Sequence, residues 1–482
     1  MGECENGSDL LLADFGAREL GFVPLGIREA GHMSDILSTK IHEIAAHLGE
    51  DTRLIPQELR ELVPKELLKE AEKIGLDVFG LDLKDFASKI ATWAVDNINL
   101  IFKILRAVRP VIVFGGFGLI TRYEDVVDTL AQDDIFGTTN LEQLIKVSGN
   151  PYILGMANNP DYTRDHTNLR AVIRRSDIPT RVSDFALEHA SEKIQAANGS
   201  MEIVSGLTRA VPADWVGEYF GTPGPDPVTL VDWCIAIFNY LTIPPGTDPA
   251  GEQAGLEAGQ AFQKYTAGVI AERKAHPTDI DDVIGRFLKL QPTGQPGLED
   301  DLIKSNIVGT VSGAIPPMAT MAAIAMDQLL KRPQALAGAQ AAARADDAAL
   351  VGRYVNEAMR FHPIGPGVLR ITTDDFLVGR DRWYAKTVPK GTTVMIATQS
   401  AMFDEALFSN PDDFDIGRNE YNFLLYGSGI HTCFGKYIAA ALIPRMLMPL
   451  LARENLRRAQ GDAGTLQMQG VQAKSMTLEW KA

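Results

Sequence analysis

The run Tyr426-Gly427-Ser428-Gly429-Ile430-His431-Thr432-Cys433-Phe434-Gly435, set just before the apolar stretch Ile438 to Leu451, constrains this chain more than any other feature. A cysteine at the mouth of a helix lies beside unsatisfied backbone N–H groups and the positive end of the helix dipole, both of which favour thiolate over thiol. The glycines at 427, 429 and 435 remove side chains from its surroundings, so that a flat, bulky ligand can approach the backbone closely. A thiolate in such a place is a ligand for iron. An inert cysteine in a glycine-rich turn is the commoner arrangement, but it leaves the spacing unexplained.

Composition supplies the setting. With 482 residues, 45% of them hydrophobic and 22% charged, the chain can bury a sizeable core. Its 46 basic and 62 acidic residues leave a net charge of −16, which repels phosphate backbones and anionic lipid surfaces and argues against a nucleic-acid partner. Only Cys4, Cys234 and Cys433 are present, too few for a disulfide framework, and a reducing, cytoplasmic compartment follows. The best candidate for a membrane span, Ile101 to Ile120, is interrupted by Lys103, Arg106 and Arg109, so no membrane span is expected.

The pattern along the chain reads as mainly α with a smaller β region. Residues 34 to 109 have helical spacing, and residues 1–109 read as an N-terminal helical extension packed on a main domain, 110–482. Val111 to Ile120 reads as strands around Gly115 and Gly116, Tyr123 to Ala131 as a helix, and residues 160 to 345 as mostly helical. Leu350 to Phe361 is a further helix, and Leu369 to Thr398 alternates in strand fashion around Pro389-Lys390-Gly391. His42 and His47, five apart, are rotated about 500° along a helix and do not form a zinc-binding pair. Cys234, in an apolar stretch, reads as a small buried hydrophobe.

The cysteine loop resembles the haem-binding signature of the cytochrome P450 family: an aromatic residue, two spaced glycines, a basic residue, cysteine and glycine. Tyr426, Gly427, Gly429, His431, Cys433 and Gly435 match it, with tyrosine where phenylalanine is usual. The resemblance continues through Glu357 and Arg360, which stand three apart on a helix, to Arg370 and the meander Asn410 to Arg418. It implies that Glu357, Arg360 and Arg418 form a buried triad and that Arg370 reaches a haem propionate. His166 and Arg170, one helical turn apart, can grip a common anion, which the resemblance identifies as a propionate. The implied cofactor is haem b (iron protoporphyrin IX), with Cys433 as its metal ligand.

One departure bears on the chemistry. Counting back from Lys331-Arg332-Pro333, the usual end of the family's distal helix, lands on Gly313-Ala314-Ile315-Pro316-Pro317. Family monooxygenases carry an acid and then an alcohol here, which deliver protons as the dioxygen bond breaks. Pro316 and Pro317 occupy both places and can donate nothing, having neither a side-chain proton nor a backbone N–H. Two prolines should also kink the helix, at about 3 kcal/mol each if nothing compensates. A slip of a few residues would put Ser312 or Thr320 there instead.

The resemblance therefore implies a haem-thiolate oxidoreductase acting on a hydrophobic small molecule. The prolines shift the expectation towards peroxide or an organic hydroperoxide as oxygen source, of peroxygenase or hydroperoxide-isomerase type. The alternatives are a dioxygen-dependent monooxygenase served by an external ferredoxin-type electron donor, and a non-catalytic haem-binding sensor. Substrate contacts are expected from Phe136 to Met156, Phe238 to Ile243, Gly313 to Pro317 and Ile364 to Leu369; Arg122, Arg164 or Arg181 are candidates to anchor a carboxylate.

Overall fold

The structure, a computed structural model, describes residues 98–242 and 247–481. The expected N-terminal extension lies outside the described residues as far as residue 97, as do His42 and His47.

The first described helix, α1 (Ile98–Val108), has one strongly apolar face, and burial of Phe102 and Leu105 on it follows from that asymmetry. Strands β1 (Val111–Phe114) and β2 (Phe117–Ile120) form an antiparallel hairpin turned by Gly115 and Gly116, both at positive φ. Helix α2 (Tyr123–Ala131), strand β3 (Phe136–Gly137) and helix α3 (Leu141–Ser148) follow.

A long helical region comes next: α4 (Pro160–Val172), α5 (Phe185–Ala196), strand β4 (Ser200–Glu202), α6 (Ala210–Phe220), α7 (Pro227–Thr242), α8 (Pro249–Ala275), α9 (Val283–Leu290), α10 (Asp300–Ser312), α11 (Ile315–Leu330), α12 (Pro333–Arg344) and α13 (Ala348–Phe361). Strands β5 (Val368–Thr372), β6 (Phe376–Val378), β7 (Lys386–Val388) and β8 (Thr393–Ile396) precede a long loop. The chain then enters α14 (Lys436–Leu451) and finishes with β9 (Arg457–Arg458), β10 (Gln467–Gln469), β11 (Gln472–Ser475) and β12 (Thr477–Glu479). The architecture is mainly α with a smaller β region, as the sequence patterning implies.

The largest sheet has the order β1-β2-β8-β5-β3. Its β2–β8 pair is parallel, from Phe117 opposite Thr393 to Ile120 opposite Ile396, which ties strands distant in sequence. β8 also pairs antiparallel with β5, setting Arg370 opposite Val394. The last strand, β12, lies between β4 and β9.

The helical core centres on α11, where Ala322, Ala323 and Ala325 are fully buried among the aromatic side chains of α6 and the leucines of α14. This corrects one reading of the sequence. The described stretch long and apolar enough to cross a membrane is Asp300–Leu330 rather than Ile101 to Ile120. It comprises α10 and α11, and a helix enclosed by protein on all sides is apolar all round for that reason alone.

Candidate active site

Glu357 and Arg360 on α13 set the frame on which the site hangs. Arg360 donates to both carboxylate oxygens of Glu357 at 2.8 Å, and Arg418 Nε donates to Glu357 Oε1 at 3.2 Å. Arg360 further donates to the carbonyls of Met402 and Pro411, and Arg418 to those of Ser409, Asn410 and Asp413. The triad the resemblance implies thus fastens the meander to α13 and fixes where the following loop begins.

That loop, Tyr426 to Gly435, curls beneath a cavity of about 430 Å³ and leads into α14. Its tight course depends on Gly427 and Gly429 at φ 69° and 73°, in the left-handed region. A Cβ on Gly429 would run into the Leu130 carbonyl, whereas one on Gly427 would meet only the His431 carbonyl at 3.9 Å. Gly429 is therefore dictated by packing, and Gly427 leaves an open shelf. The Cys433 N–H donates to the Tyr426 carbonyl at 2.8 Å, which closes the loop on itself.

Cys433 opens on the cavity. Burial pushes its thiol up; the Gly435 and Lys436 backbone N–H groups and the Arg170 and Lys436 charges pull the other way without reversing the shift. The backbone N–H groups at the mouth of α14 act in the direction expected from the sequence.

Of the other residues singled out in the sequence, His166, Arg370, Tyr426, Gly427, His431 and Gly435 all line the cavity. Arg370 is half-buried, its one side-chain hydrogen bond among the described residues runs to the Leu369 carbonyl at 3.0 Å, and desolvation lowers its guanidinium to about 10. Burial, reinforced by the Arg370 charge, lowers His431 to about 4, and its Nδ1 is buried without a partner. His166 stacks on Tyr162, with ring centroids 5.6 Å apart, and meets Phe434 edge-on; burial lowers it as well. Arg170 stands one step back, its guanidinium 3.9 Å from the centre of the Phe434 ring. A thiol, an open glycine shelf and a desolvated cation with no acid partner among the described residues fit a flat, anionic, metal-bearing ligand such as haem b.

The opposite wall comes from α10 and α11, where Gly309, Thr310, Gly313, Ala314 and Pro317 line the cavity and Pro316 is buried away from it. Here the structure differs from the expected kink. The helix stops at Ser312 and a new one starts at Ile315, with Ala314 as N-cap and both prolines in its first turn. Backbone N–H groups in a first turn have no intrahelical partner, so the prolines forfeit no hydrogen bond there. Neither Ser312 nor Thr320 faces the cavity; Thr320 pairs with Gln472 and accepts from the Ala473 N–H.

Sequence reasoning missed a hydroxyl pair on this wall: Tyr152, from the segment after α3, lies 3.1 Å from Thr310. Burial raises the Tyr152 phenol, and the proximity of Cys433 adds to the shift. The remaining lining is largely apolar and includes Phe238, Ile364 and Val368, within segments expected to make substrate contacts, and Met321, outside them. Arg122, Arg164 and Arg181 are engaged elsewhere, Arg122 with the Arg106 carbonyl, Arg164 with Asp161 and Asp165, and Arg181 with Asp281.

The cytochrome P450 family model matches residues 253–469. The chain is 28% identical over 246 residues to cyclomarin C epoxidase of Salinispora arenicola, a match that covers 51% of this chain and 58% of that protein. It is 25% identical to nocardicin C N-oxygenase of Nocardia uniformis, over 70% of this chain and 81% of the relative. Among solved structures, P450BioI in complex with an acyl carrier protein superposes with a TM-score of 0.69 at 20% identity, over 80% of this chain and 99% of the other. A cytochrome P450 from Chondromyces apiculatus gives 0.67 at 21% identity, over 81% and 97%. At these identities the structural likeness bears on the fold.

Proposed function

We propose, for a chain that belongs to the cytochrome P450 family, an oxidoreductase that takes peroxide or an organic hydroperoxide as oxygen source and acts on a hydrophobic small molecule. The family's cofactor is haem, which with a thiolate ligand supplies the oxidising chemistry. Cys433 Sγ is the residue placed to bind the iron. Arg370, His431 and His166 are the groups to meet the propionates, with Arg170 behind Phe434 adding positive charge from one step back. Tyr426, Gly427 and Gly435 shape the thiol side of the ligand.

The oxygen source rests on one observation. Gly313, Ala314 and Pro317, the segment of wall that faces the cavity at the helix break, present no side-chain proton donor where the family carries its acid and alcohol, and Pro316 presents none behind them; the hydroxyls on this wall are those of Thr310, one turn earlier, and Tyr152. Cleaving dioxygen after reduction calls for two protons delivered in sequence, whereas a peroxide arrives already reduced and carries its own hydrogen. The apolar lining admits a hydrophobic ligand. A second reading, a dioxygen-dependent monooxygenase with a ferredoxin-type donor, draws support from relatives named as oxygenases and monooxygenases. In either reading we take the chain to act in the cytoplasm as a soluble enzyme.

Two measurements test this. The ferrous carbon monoxide spectrum should show a thiolate-type band that is lost in Cys433→Ala; survival of the band removes the ligand assignment. Turnover should be seen with hydrogen peroxide or an acyl hydroperoxide, and efficient coupled turnover only with NADPH, redox partners and dioxygen overturns the proposed oxidant.

A further inference from the structure

The Tyr152–Thr310 pair joins the segment after α3 to α10 at the edge of the helical core. Tyr152 is buried, 5% exposed, yet its ring lies flat against α10 only because residue 309 is glycine: a Cβ there would come within 2.6 Å of the ring carbons. Gly309 thus opens a slot that brings the phenol oxygen to the Thr310 hydroxyl at 3.1 Å, with both residues on the cavity wall.

The hydrogen-bond count is incomplete. Two hydroxyls hold two protons and four lone pairs, and their mutual bond uses one of each. Elsewhere on these helices buried hydroxyls turn their hydrogen back to a carbonyl four residues earlier, as Thr129 does to Asp125 and Ser148 to Leu144. Thr310 makes no such bond; its one side-chain partner among the described residues is Tyr152. One hydroxyl hydrogen and several lone pairs are therefore left facing a cavity whose surroundings include Met318, Met321, Phe238 and Pro317. An unused donor in apolar surroundings is costly, so the site favours a ligand that brings an oxygen to it. Burial keeps the Tyr152 phenol neutral, so it stays a donor at ordinary pH.

We infer that the Tyr152–Thr310 pair is the cavity's recognition site for a hydroxyl or hydroperoxyl oxygen on an otherwise apolar molecule, and that it sets ligand selectivity. The inference deepens the proposed function and rests on its reading of the cavity as a pocket for a hydrophobic molecule. It makes Tyr152 and Thr310 specificity residues that orient the oxygen-bearing end, with no bond made or broken by them.

The test uses the haem-loaded full chain, with cumene and 2-phenylpropan-2-ol as probes that differ by one hydroxyl. Dissociation constants come from calorimetry, which reads binding whatever the haem ligand is. Tyr152→Phe and the double variant Tyr152→Phe/Thr310→Val should each weaken the alcohol by about two- to tenfold, the worth of one neutral hydrogen bond, and leave cumene within about twofold. Equal effects on the two probes, or no effect on the alcohol in either variant, overturn the inference. The carbon monoxide spectrum of the same preparation separates the outcomes: loss of the thiolate band in the parent protein defeats the haem-thiolate reading while the selectivity ratio still judges the hydroxyl pair.

Discussion

Replacing Pro316 and Pro317 together by alanine tests how the distal wall is built, because two descriptions of that wall predict opposite signs. In an unbroken helix each proline costs about 3 kcal/mol, so the double substitution would stabilise the fold by about 6 kcal/mol. In the observed arrangement α11 begins at Ile315, and the first intrahelical bond is donated by Met318 to the Ala314 carbonyl at 3.3 Å. The N–H groups restored at 316 and 317 then have no partner to find. What remains is the rigidity that proline imposes on the unfolded chain, about 0.4–1 kcal/mol per site, so the variant should be less stable by about 0.8–2 kcal/mol. Denaturant midpoints of parent and variant, compared at equal slope by far-ultraviolet circular dichroism, read the difference. A rise in midpoint that, multiplied by the slope, amounts to several kcal/mol would refute the broken-helix description.

Other perturbations have equally definite outcomes. Glu357→Gln leaves Arg360 and Arg418 facing a neutral group inside the protein and should cost about 3–5 kcal/mol, measured as a fall in denaturant midpoint. Arg370→Gln should hasten haem loss to apomyoglobin by about 10- to 100-fold, the worth of a charge-assisted bond; an unchanged rate removes Arg370 from the propionate set. Asp125 is held at about 6 by burial, against an ordinary 3.8. Its folded-state value lies above the unfolded one, so stability falls as pH rises from about 4 to 6, and the deficit is complete above that. Asp125→Asn should accordingly be the more stable protein at pH 8 and lose that advantage by pH 4.

Much of the site is legible from local order. Loop glycines, a cysteine and the following helix are contiguous, so Cys433 and its neighbours can be read directly, and the helix Tyr123–Ala131 has the bounds its pattern implies. The Glu357–Arg360 spacing fixes a pair on one helix face, though its bond to Arg418 is tertiary. Two features were not legible. The prolines do not reveal by themselves whether they kink a helix or start one, since that depends on how Gly313 and Ala314 pack between α10 and α11. Tyr152 and Thr310 are separated by more than 150 residues, and the only local trace of their meeting is a glycine at 309 that also looks like a simple helix flaw.

The parallel pairing of β2 with β8 has a bearing on biogenesis. Residues 117–120 have no neighbour on that side until residues 393–396 exist, and Tyr162 donates to the Ile430 carbonyl across a similar span. Contacts this distant are costly to close and form late. A ribosome moving from residue 150 to residue 430 exposes one wall of the cavity for most of that journey before the loop that completes it appears. Cofactor capture therefore waits on that loop, and insertions that delay the β2–β8 closure should raise the fraction of protein recovered without haem.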